Sequence, residues 1–301
     1  MDQFTSVIAL QGASVIYYAI DFAMMLGFMA ALRVLAGSIA GVSLKDILAK
    51  QDNFAVGISL AGAIVAVAVL MMGVVSGDVS GNYIDEVSLM AGYGVLAIVL
   101  MWVTRKVFDH IAMPRVSIHD EIMNGNVAAG LIDGGNMVAT AIIVRAAMIW
   151  VDGTTLLGLA MVIAAYVVSQ IILLLATVYR KKVFEMRHAG TLLLGEEIAA
   201  GNTALAVRFA GYRLGVGLAV TATSGVVIYD PSLLLLSLAA WTVIAIVMFV
   251  AQSVLSIGLR FIFLPGINVG QEVDIQGNLA IGAIEAAVYI GVGFAFVGLL
   301  G

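Results

Sequence analysis

The sequence predicts an all-α, polytopic membrane protein, a bundle of eight transmembrane helices that form four helical hairpins of the same orientation. Composition is the first observation: 62% of the 301 residues are hydrophobic and 11% are charged, whereas a soluble domain has about 25% charged residues. Eight apolar runs of spanning length are the second, and a motif that recurs four times is the third. Repeats with an even number of helices all enter the membrane in one direction, so we expect a symmetry axis along the membrane normal.

Each apolar run holds roughly 20 residues, the length that a hydrocarbon core about 30 Å thick requires at ~1.5 Å per residue. Such long runs without alternating polarity favour helices over the strands of a barrel. The first run follows MDQFTS, which lacks a basic region, so we expect a retained helix rather than a cleaved signal peptide. The runs cover residues 12–36, 54–76, 87–105, 126–149, 155–179, 203–228, 232–258 and 278–300.

The lysines and arginines predict the orientation. Eleven of the fourteen lie in the connections after the first, third, fifth and seventh runs, and the other connections hold none. The positive-inside rule therefore places the basic connections in the cytoplasm and both termini in the periplasm. The basic connections mix apolar with charged positions, so we expect short interfacial helices that contact anionic membrane lipids, or that dock cytoplasmic protein partners.

An asparagine opens each even-numbered helix and marks the repeat. These residues, spaced by 73, 76 and 76, are Asn53, Asn126, Asn202 and Asn278. Asparagine is a good N-cap, and small residues four and nine positions later allow close backbone approach. We therefore favour capping and packing over a functional lining for these positions. The small residues are Gly57, Gly130, Ala206 and Gly282, then Gly62, Gly135, Gly211 and Ala287.

The run from Ile122 to Gly130, I-x-x-x-N-x-A-A-G, and the preceding RKVFDHIAMP resemble the YjfL-type family of bacterial inner-membrane proteins, whose domain of unknown function has four helices. The chain looks like two such domains fused, residues 1–150 and 151–301. The fourth repeat departs from the pattern, because Ile275 precedes its asparagine by three residues rather than four. The resemblance implies an inner-membrane location and a link to envelope stress, since genes of the family often neighbour phage-shock-like and polyamine-related genes. It implies no established reaction and no accepted active site.

Six charged residues fall inside the apolar runs, three of each sign. Each costs roughly 2.5 to 3.5 kcal/mol near the membrane centre, so six isolated charges would cost on the order of 15 to 20 kcal/mol, more than a protein's usual net stability. We therefore expect them to pair, to reach water or to be neutralised. They are Asp21, Asp133, Arg145, Arg208, Arg213 and Glu285.

Counting from the asparagines predicts which of these charges can meet. Asp133 and Glu285 stand seven residues into their helices and Arg208 stands six, all ~10 Å above the cytoplasmic boundary. We expect a ring at this depth, in which Arg208 pairs with both carboxylates. Arg213 lies about one turn deeper, near the level expected for Asp21, which has Tyr17 and Tyr18 as hydrogen-bond donors on its own helix.

Arg145 is a separate case. It stands near the outer membrane interface, where it is expected to anchor the helix beside Trp150.

Two interpretations of the ring stay open. Its ion pairs either specify which hairpin packs where, or line a site on the symmetry axis for an ion, a proton or a small charged solute. The matching functions are a membrane scaffold or envelope-stress module, and a channel or transporter. The chain forms either one complete ring or half of a homodimer.

Other functional classes lack residues to support them. The chain has no cysteine, and its histidines, His110, His119 and His188, are not spaced as metal ligands, so we expect solvated histidines and no metal. No phosphate loop, catalytic triad order or dinucleotide motif is present. We therefore expect no enzyme activity, no cofactor and no nucleic-acid partner.

Overall fold

The computed structural model describes residues 12–40, 43–75, 82–151 and 156–301. Within these ranges every regular element is helical, and eight helices are long and apolar enough to cross a membrane. The protein is therefore a polytopic α-helical membrane protein with an internal duplication, as the composition and the apolar runs predict. The side of the membrane that carries the basic connections is called the basic side below.

Each repeat contains an outer helix, a short segment on the basic side and a central helix that begins after the asparagine. The outer helices are α1 (Gly12–Ala40), α4 (Tyr83–Val107), α7 (Leu156–Arg187) and α11 (Leu234–Phe263). The central helices are α3 (Phe54–Val75), α6 (Val127–Trp150), α9 (Thr203–Thr221) and α12 (Leu279–Leu300), and α9 is followed by the short α10 (Thr223–Val226). The outer helices α4, α7 and α11 extend past the predicted apolar runs on the basic side, so several arginines assigned to connections lie on helices.

The short segments form a packed layer on the basic side. They are α2 (Leu44–Ala49), α5 (Ile118–Met123), α8 (Leu194–Ala199) and a π-helix, π2 (Gly270–Ile275); a second π-helix, π1 (Phe108–Ala112), continues α4. Apolar side chains of this layer, such as Ile122, Ile198 and Val273, are buried in one core with residues of the central helices. The expected short helices are thus present, and an apolar core that they share with the central helices holds them in place.

The central helices pack in chain order. Helix α3 contacts α6, α6 contacts α9 and α9 contacts α12, whereas α3 and α12 share no comparable contact. The outer helices cover this row, since α4 packs on α3 and α6, and α11 packs on α9 and α12. A single chain therefore forms an open row of four repeats with two free ends, and of the two alternatives that the sequence leaves open it does not form the complete ring by itself.

Each asparagine caps its own central helix and also joins its repeat to the next one. The side-chain oxygens accept hydrogen bonds from backbone N–H groups three residues later. The Asn53 amide donates to the carbonyls of Ile122 and Met123, at the end of the short segment of the second repeat. The amides of Asn126 and Asn202 donate in the same way to the third and fourth repeats.

Small residues bring the central helices into backbone contact. A β-carbon added at Gly62 would lie 2.3 Å from the Gly134 Cα, and one at Gly211 would lie 2.3 Å from the Ala286 Cβ. Such distances are too short for any side chain, so the helix backbones touch. Close contact of this kind is how helices associate where lipid removes the hydrophobic driving force.

Candidate functional site

The first half of the chain contains an ion pair near the basic side, formed by a buried carboxylate and a half-buried arginine. Asp133 on α6 is 1% exposed, and Arg105 at the end of α4 binds it through two hydrogen bonds, Nη2 to Oδ2 at 2.8 Å and Nε to Oδ1 at 3.2 Å. Ser59 on α3 donates to the same carboxylate at 2.6 Å. The fork of the guanidinium matches both carboxylate oxygens, and this bidentate geometry is the strongest kind of side-chain hydrogen bonding.

The second half contains a larger cluster at the equivalent place. Arg208 on α9 lies 3.4 Å from Glu285 on α12 and also bonds to Asp274 on π2. Arg260 at the end of α11 lies 3.5 Å from the other oxygen of Glu285. Arg187 lies 3.9 Å from Asp274, so the cluster holds three arginines and two carboxylates, of which Asp274, Arg208 and Glu285 are almost fully buried.

The two sites are copies of one arrangement. Numbered from the capping asparagine, Asp133 and Glu285 both occupy position +7, and their arginines, Arg105 and Arg260, both end the outer helix of the same repeat. Position +6 of the preceding repeat supplies the third member, which is Ser59 in the first site and Arg208 in the second. The second site therefore adds one cation, and Asp274 compensates for it with one anion.

The two sites differ in the space beside them. A cavity of about 250 Å³ adjoins the first site, and its wall includes Ser59, Arg105 and Asp133, together with Lys106 and His119 from the basic side. The space beside Arg208 is about 10 Å³, about what one water molecule needs. A crevice of about 520 Å³ reaches Arg187, His188 and Arg260, but Glu285 does not line it. The first site is thus accessible to a small ligand and the carboxylate of the second is not.

The expected pairing of the charges is only partly correct. Arg208 and Glu285 meet, but Arg105, not Arg208, is the partner of Asp133. The physical reason lies in side-chain direction, because helical side chains point towards the N-terminus of their helix. An arginine at the basic end of an outer helix therefore points back into the membrane, where the carboxylate lies.

Asp21 and Arg213 lie apart from both sites. Asp21 is buried beside the buried Glu86 on α4, and Tyr17 packs instead against Tyr83, with ring centroids 4.7 Å apart. Arg213 bonds to Asn136, Thr177 and the Leu173 carbonyl, and no carboxylate among the described residues lies within 4 Å of it. Asp133, Arg208 and Glu285 therefore do not form the expected single ring, and the five residues of the expected charge cluster occupy four separate places.

Sequence reasoning missed Arg105, Arg260, Asp274 and Glu86 as site residues. The signal for the two arginines was present, since each ends an outer helix in a repeat whose central helix carries an acid at +7. His188 is also not solvated as expected, because its ring nitrogen lies 3.2 Å from Asp274 and its side chain is 13% exposed. Among the described residues no group of histidines and carboxylates has the geometry of a metal site.

The fold and the paired sites define a class, that of polytopic α-helical membrane proteins built from two copies of one domain. The family described as Domain of Unknown Function (DUF350) matches residues 6–148 and again residues 151–300. The chain therefore belongs to this family.

One curated relative is described as a UPF0719 transmembrane protein, from Aquifex aeolicus (strain VF5). It is 28% identical to the chain over 99 residues, which are 33% of this chain and 37% of that protein. The similarity thus covers less than two thirds of the relative. No solved structure matches the chain.

Proposed function

We propose that the protein carries an ion, a proton or a small charged solute across the bacterial inner membrane, with the first site as its binding site. The cavity beside Asp133 is the observation that supports this. A buried carboxylate that serves packing alone needs no space beside it, and Glu285 in the second site lines neither the crevice at Arg260 nor the small space beside Arg208.

The surroundings of the cavity suit one step of an alternating-access cycle. Its wall contains residues of α2 and α5, so it opens towards the basic side, which the positive-inside rule assigns to the cytoplasm. Towards the opposite side, the same helices pack in an apolar core that includes Leu70, Met90 and Val144. A solute that enters from the cytoplasm would meet Asp133 and Arg105 and compete for the contacts that they make with each other.

The test is flux into proteoliposomes, measured with proton-, cation- and anion-sensitive dyes. Asp133→Asn is expected to lower the flux more than tenfold. The carboxylate can exchange its contact with Arg105 for a contact with a transported cation, and the neutral amide cannot. Glu285→Gln is the matched control, since it makes the same change in the closed site and should leave the flux within twofold. Unfolding temperatures of both variants show whether the fold survives. Unchanged flux in a folded Asp133→Asn variant contradicts the proposal.

A scaffold or envelope-stress module is the second candidate, and the packed layer on the basic side supports it. The short helices α2, α5 and α8 are held in place by the core that they share with the central helices and present charged side chains such as Lys50 and Asp46, which pair at 2.6 Å and are exposed. Such a rigid surface suits cytoplasmic protein partners. Partners that co-purify with the wild type and are lost on reversing these exposed charges, in a protein without flux, would favour this function. Neither candidate includes a chemical reaction.

The location and topology are part of the proposal. The YjfL-type resemblance and the distribution of basic residues support an inner-membrane protein with both termini in the periplasm. Because the chain has no cysteine, a single introduced cysteine reports its side directly. A membrane-impermeant thiol reagent should label Asp230→Cys in intact spheroplasts, and Lys50→Cys only after lysis. The reverse pattern contradicts the topology.

A further inference from the structure

We infer that the chain assembles head to tail with a second copy of itself, through the free face of α12 on one copy and the free face of α3 on the next. The inference starts from the contacts between repeats, which follow one rule. Position +9 of each central helix contacts position +8 of the next one: Gly62 with Gly134, Gly135 with Ala210, and Gly211 with Ala286.

Two further pairs of positions also recur between neighbouring repeats. Position +4 packs on position +2 of the preceding repeat, as Gly130 does on Ala55 and Gly282 does on Ala204, and in both pairs a β-carbon added at the glycine would lie 2.6 Å from the carbonyl oxygen. Position +15 packs on position +13, as Gly217 does on Ala139. Each central helix thus has a leading face, positions +2, +9 and +13, and a trailing face, positions +4, +8 and +15.

The leading face of the last repeat has no partner within the chain. It consists of Ala280, Ala287 and Gly291, and all three are exposed, whereas the corresponding residues of α9 are buried. Exposure alone carries no weight in a membrane, where lipid covers any apolar surface. The positions do, because the corresponding small residues of α3, α6 and α9 make the contacts with the next central helix.

The trailing face of the first repeat has no central helix packed on it within the described part of the chain. It consists of Gly57, Ala61 and Ala68; Ala61 is exposed, and Gly57 and Ala68 are half-buried. The nearest atom to a β-carbon added at Gly57 is a Leu48 methyl at 3.8 Å. The corresponding Gly130 and Gly282 are in backbone contact with the preceding repeat. The two ends of the row therefore carry the two halves of the joint that the chain forms three times internally.

The capping asparagines give an independent argument. The amides of the first three donate to carbonyls of the next repeat. Asn126 and Asn278 each also donate to a glutamate of their own repeat, but for Asn278 no following repeat within the chain supplies the carbonyls. In the first repeat, the carbonyls that correspond to Ile122 and Met123 are those of Ala49 and Lys50. If a second copy packs on the last repeat as each repeat packs on the one before it, the Ala49 and Lys50 carbonyls of that copy lie beside Asn278.

The side chains at the level of the ion pairs also fit. Positions +6 and +7 alternate along the row: Ser59 with Asp133 is polar, Ile132 with Phe209 is apolar, and Arg208 with Glu285 is polar again. The joint between copies would bring Ile284 to Leu60, which continues the alternation and buries no charge. An interface of this heterologous type closes into a ring of two or more copies, or extends as a filament.

Disulfide cross-linking in native membranes tests the joint, because the chain has no cysteine of its own. By the +9 to +8 rule, Ala61→Cys with Ala287→Cys should give covalent dimers or larger species on oxidation. Ala61→Cys with Leu255→Cys is the matched control. Leu255 is also exposed and, like Ala287, is the ninth residue from the basic end of its helix. It lies on α11, outside the proposed joint, so this pair should give no cross-linked species. A disulfide within one chain, or dimers from Ala287→Cys alone, would overturn the inference.

Native mass measurement in lipid nanodiscs gives the second test. The wild type is expected at two or more copies and Ala287→Leu as a folded single chain, because Ala287 is exposed in the chain. Ala240→Leu makes the same change at an exposed alanine of α11 and should keep the wild-type mass. A wild type that is a single chain, or an Ala287→Leu variant that keeps the wild-type mass, contradicts the inference.

Discussion

At the scale of single residues, the position before each capping asparagine controls the turn into the central helix. Its backbone is left-handed in all four repeats, with φ of 87° at Gly125, 86° at Gly201, 66° at Gly277 and 48° at Asp52. Glycine adopts this conformation without strain, whereas other residues lose about 1 to 2 kcal/mol, aspartate somewhat less. The first repeat therefore carries a small local strain that the other repeats lack.

This strain predicts opposite effects of two substitutions. Gly201→Ala should lower the free energy of unfolding by about 1 to 2 kcal/mol, and Asp52→Gly should raise it by up to about 1 kcal/mol. Titration with a denaturing detergent measures both, with the wild type as reference. A destabilising Asp52→Gly would mean that the aspartate side chain, and not the backbone, determines this turn.

Arg208 and Asp274 form a pair that the first site lacks, since Ser59 and Met123 stand at the corresponding positions; the Met123 and Asp274 carbonyls both accept from the preceding capping asparagine. Replacing them together, Arg208→Ser with Asp274→Met, should therefore destabilise less than the sum of the single changes, by about 1 to 3 kcal/mol of coupling. Each single change leaves a buried charge with fewer partners. A double-mutant cycle by detergent unfolding measures the coupling, and additive effects would contradict the pairing.

The sequence predicts the buried charges but only part of their pairing. Arg208 with Glu285 follows from equal depth on neighbouring central helices. The pair of Arg105 with Asp133 does not follow from depth, because depth is counted only along the central helices. Arg105 lies on an outer helix, and side chains at the basic end of an outer helix point back into the membrane. The part that Asp274 plays could not be predicted either. It lies on π2, between two apolar runs, and the runs do not indicate where such a connecting residue lies in space.

At the scale of helices, the small residues differ in what surrounds them. A β-carbon at Gly62 would lie 2.3 Å from the Gly134 Cα, whereas one at Gly258 in α11 has nothing within 4 Å. Helix propensity favours alanine over glycine by about 1 kcal/mol in both helices. Packing opposes it only at Gly62, where a methyl group forces two backbones apart.

The two glycines therefore predict opposite results for one substitution. Gly258→Ala should raise the free energy of unfolding by about 0.5 to 1 kcal/mol, and Gly62→Ala should lower it by about 1 to 3 kcal/mol, a typical cost of overpacking. Unfolding midpoints of the two variants and the wild type in the same detergent decide this. If Gly62→Ala is as stable as the wild type, α3 and α6 are not in backbone contact.

At the scale of the whole molecule, the repeat spacing predicts four similarly oriented units but leaves their arrangement open. Spacings of 73 and 76 residues are equally compatible with a closed ring and an open row. Contacts such as Gly135 with Ala210 specify the step from one repeat to the next, and they involve positions +8 and +9 on different helices. A motif that describes one helix at a time cannot specify that step.

The packing of each central helix on the next also joins the two halves of the chain, through α6 and α9. The peptide connection between the halves should therefore not be needed to hold them together. Asn126 on α6 donates to the carbonyls of Ile198 and Ala199 in the second half, and Gly135 and Ala139 pack on α9. Residues 1–151 and 152–301, expressed as two polypeptides with a tag on one, should therefore co-purify at equal amounts.

Ala287→Leu is included in this experiment, so that the end-to-end contact inferred above cannot hold the halves together. In that background Gly135→Leu should reduce the untagged half more than tenfold, because the leucine side chain has no space beside Ala210. Gly92→Leu is the control, since nothing lies within 4 Å of a β-carbon at Gly92, and it should leave recovery unchanged. Halves that separate even without Gly135→Leu would show that the covalent connection, and not the contact between α6 and α9, holds the row at its centre.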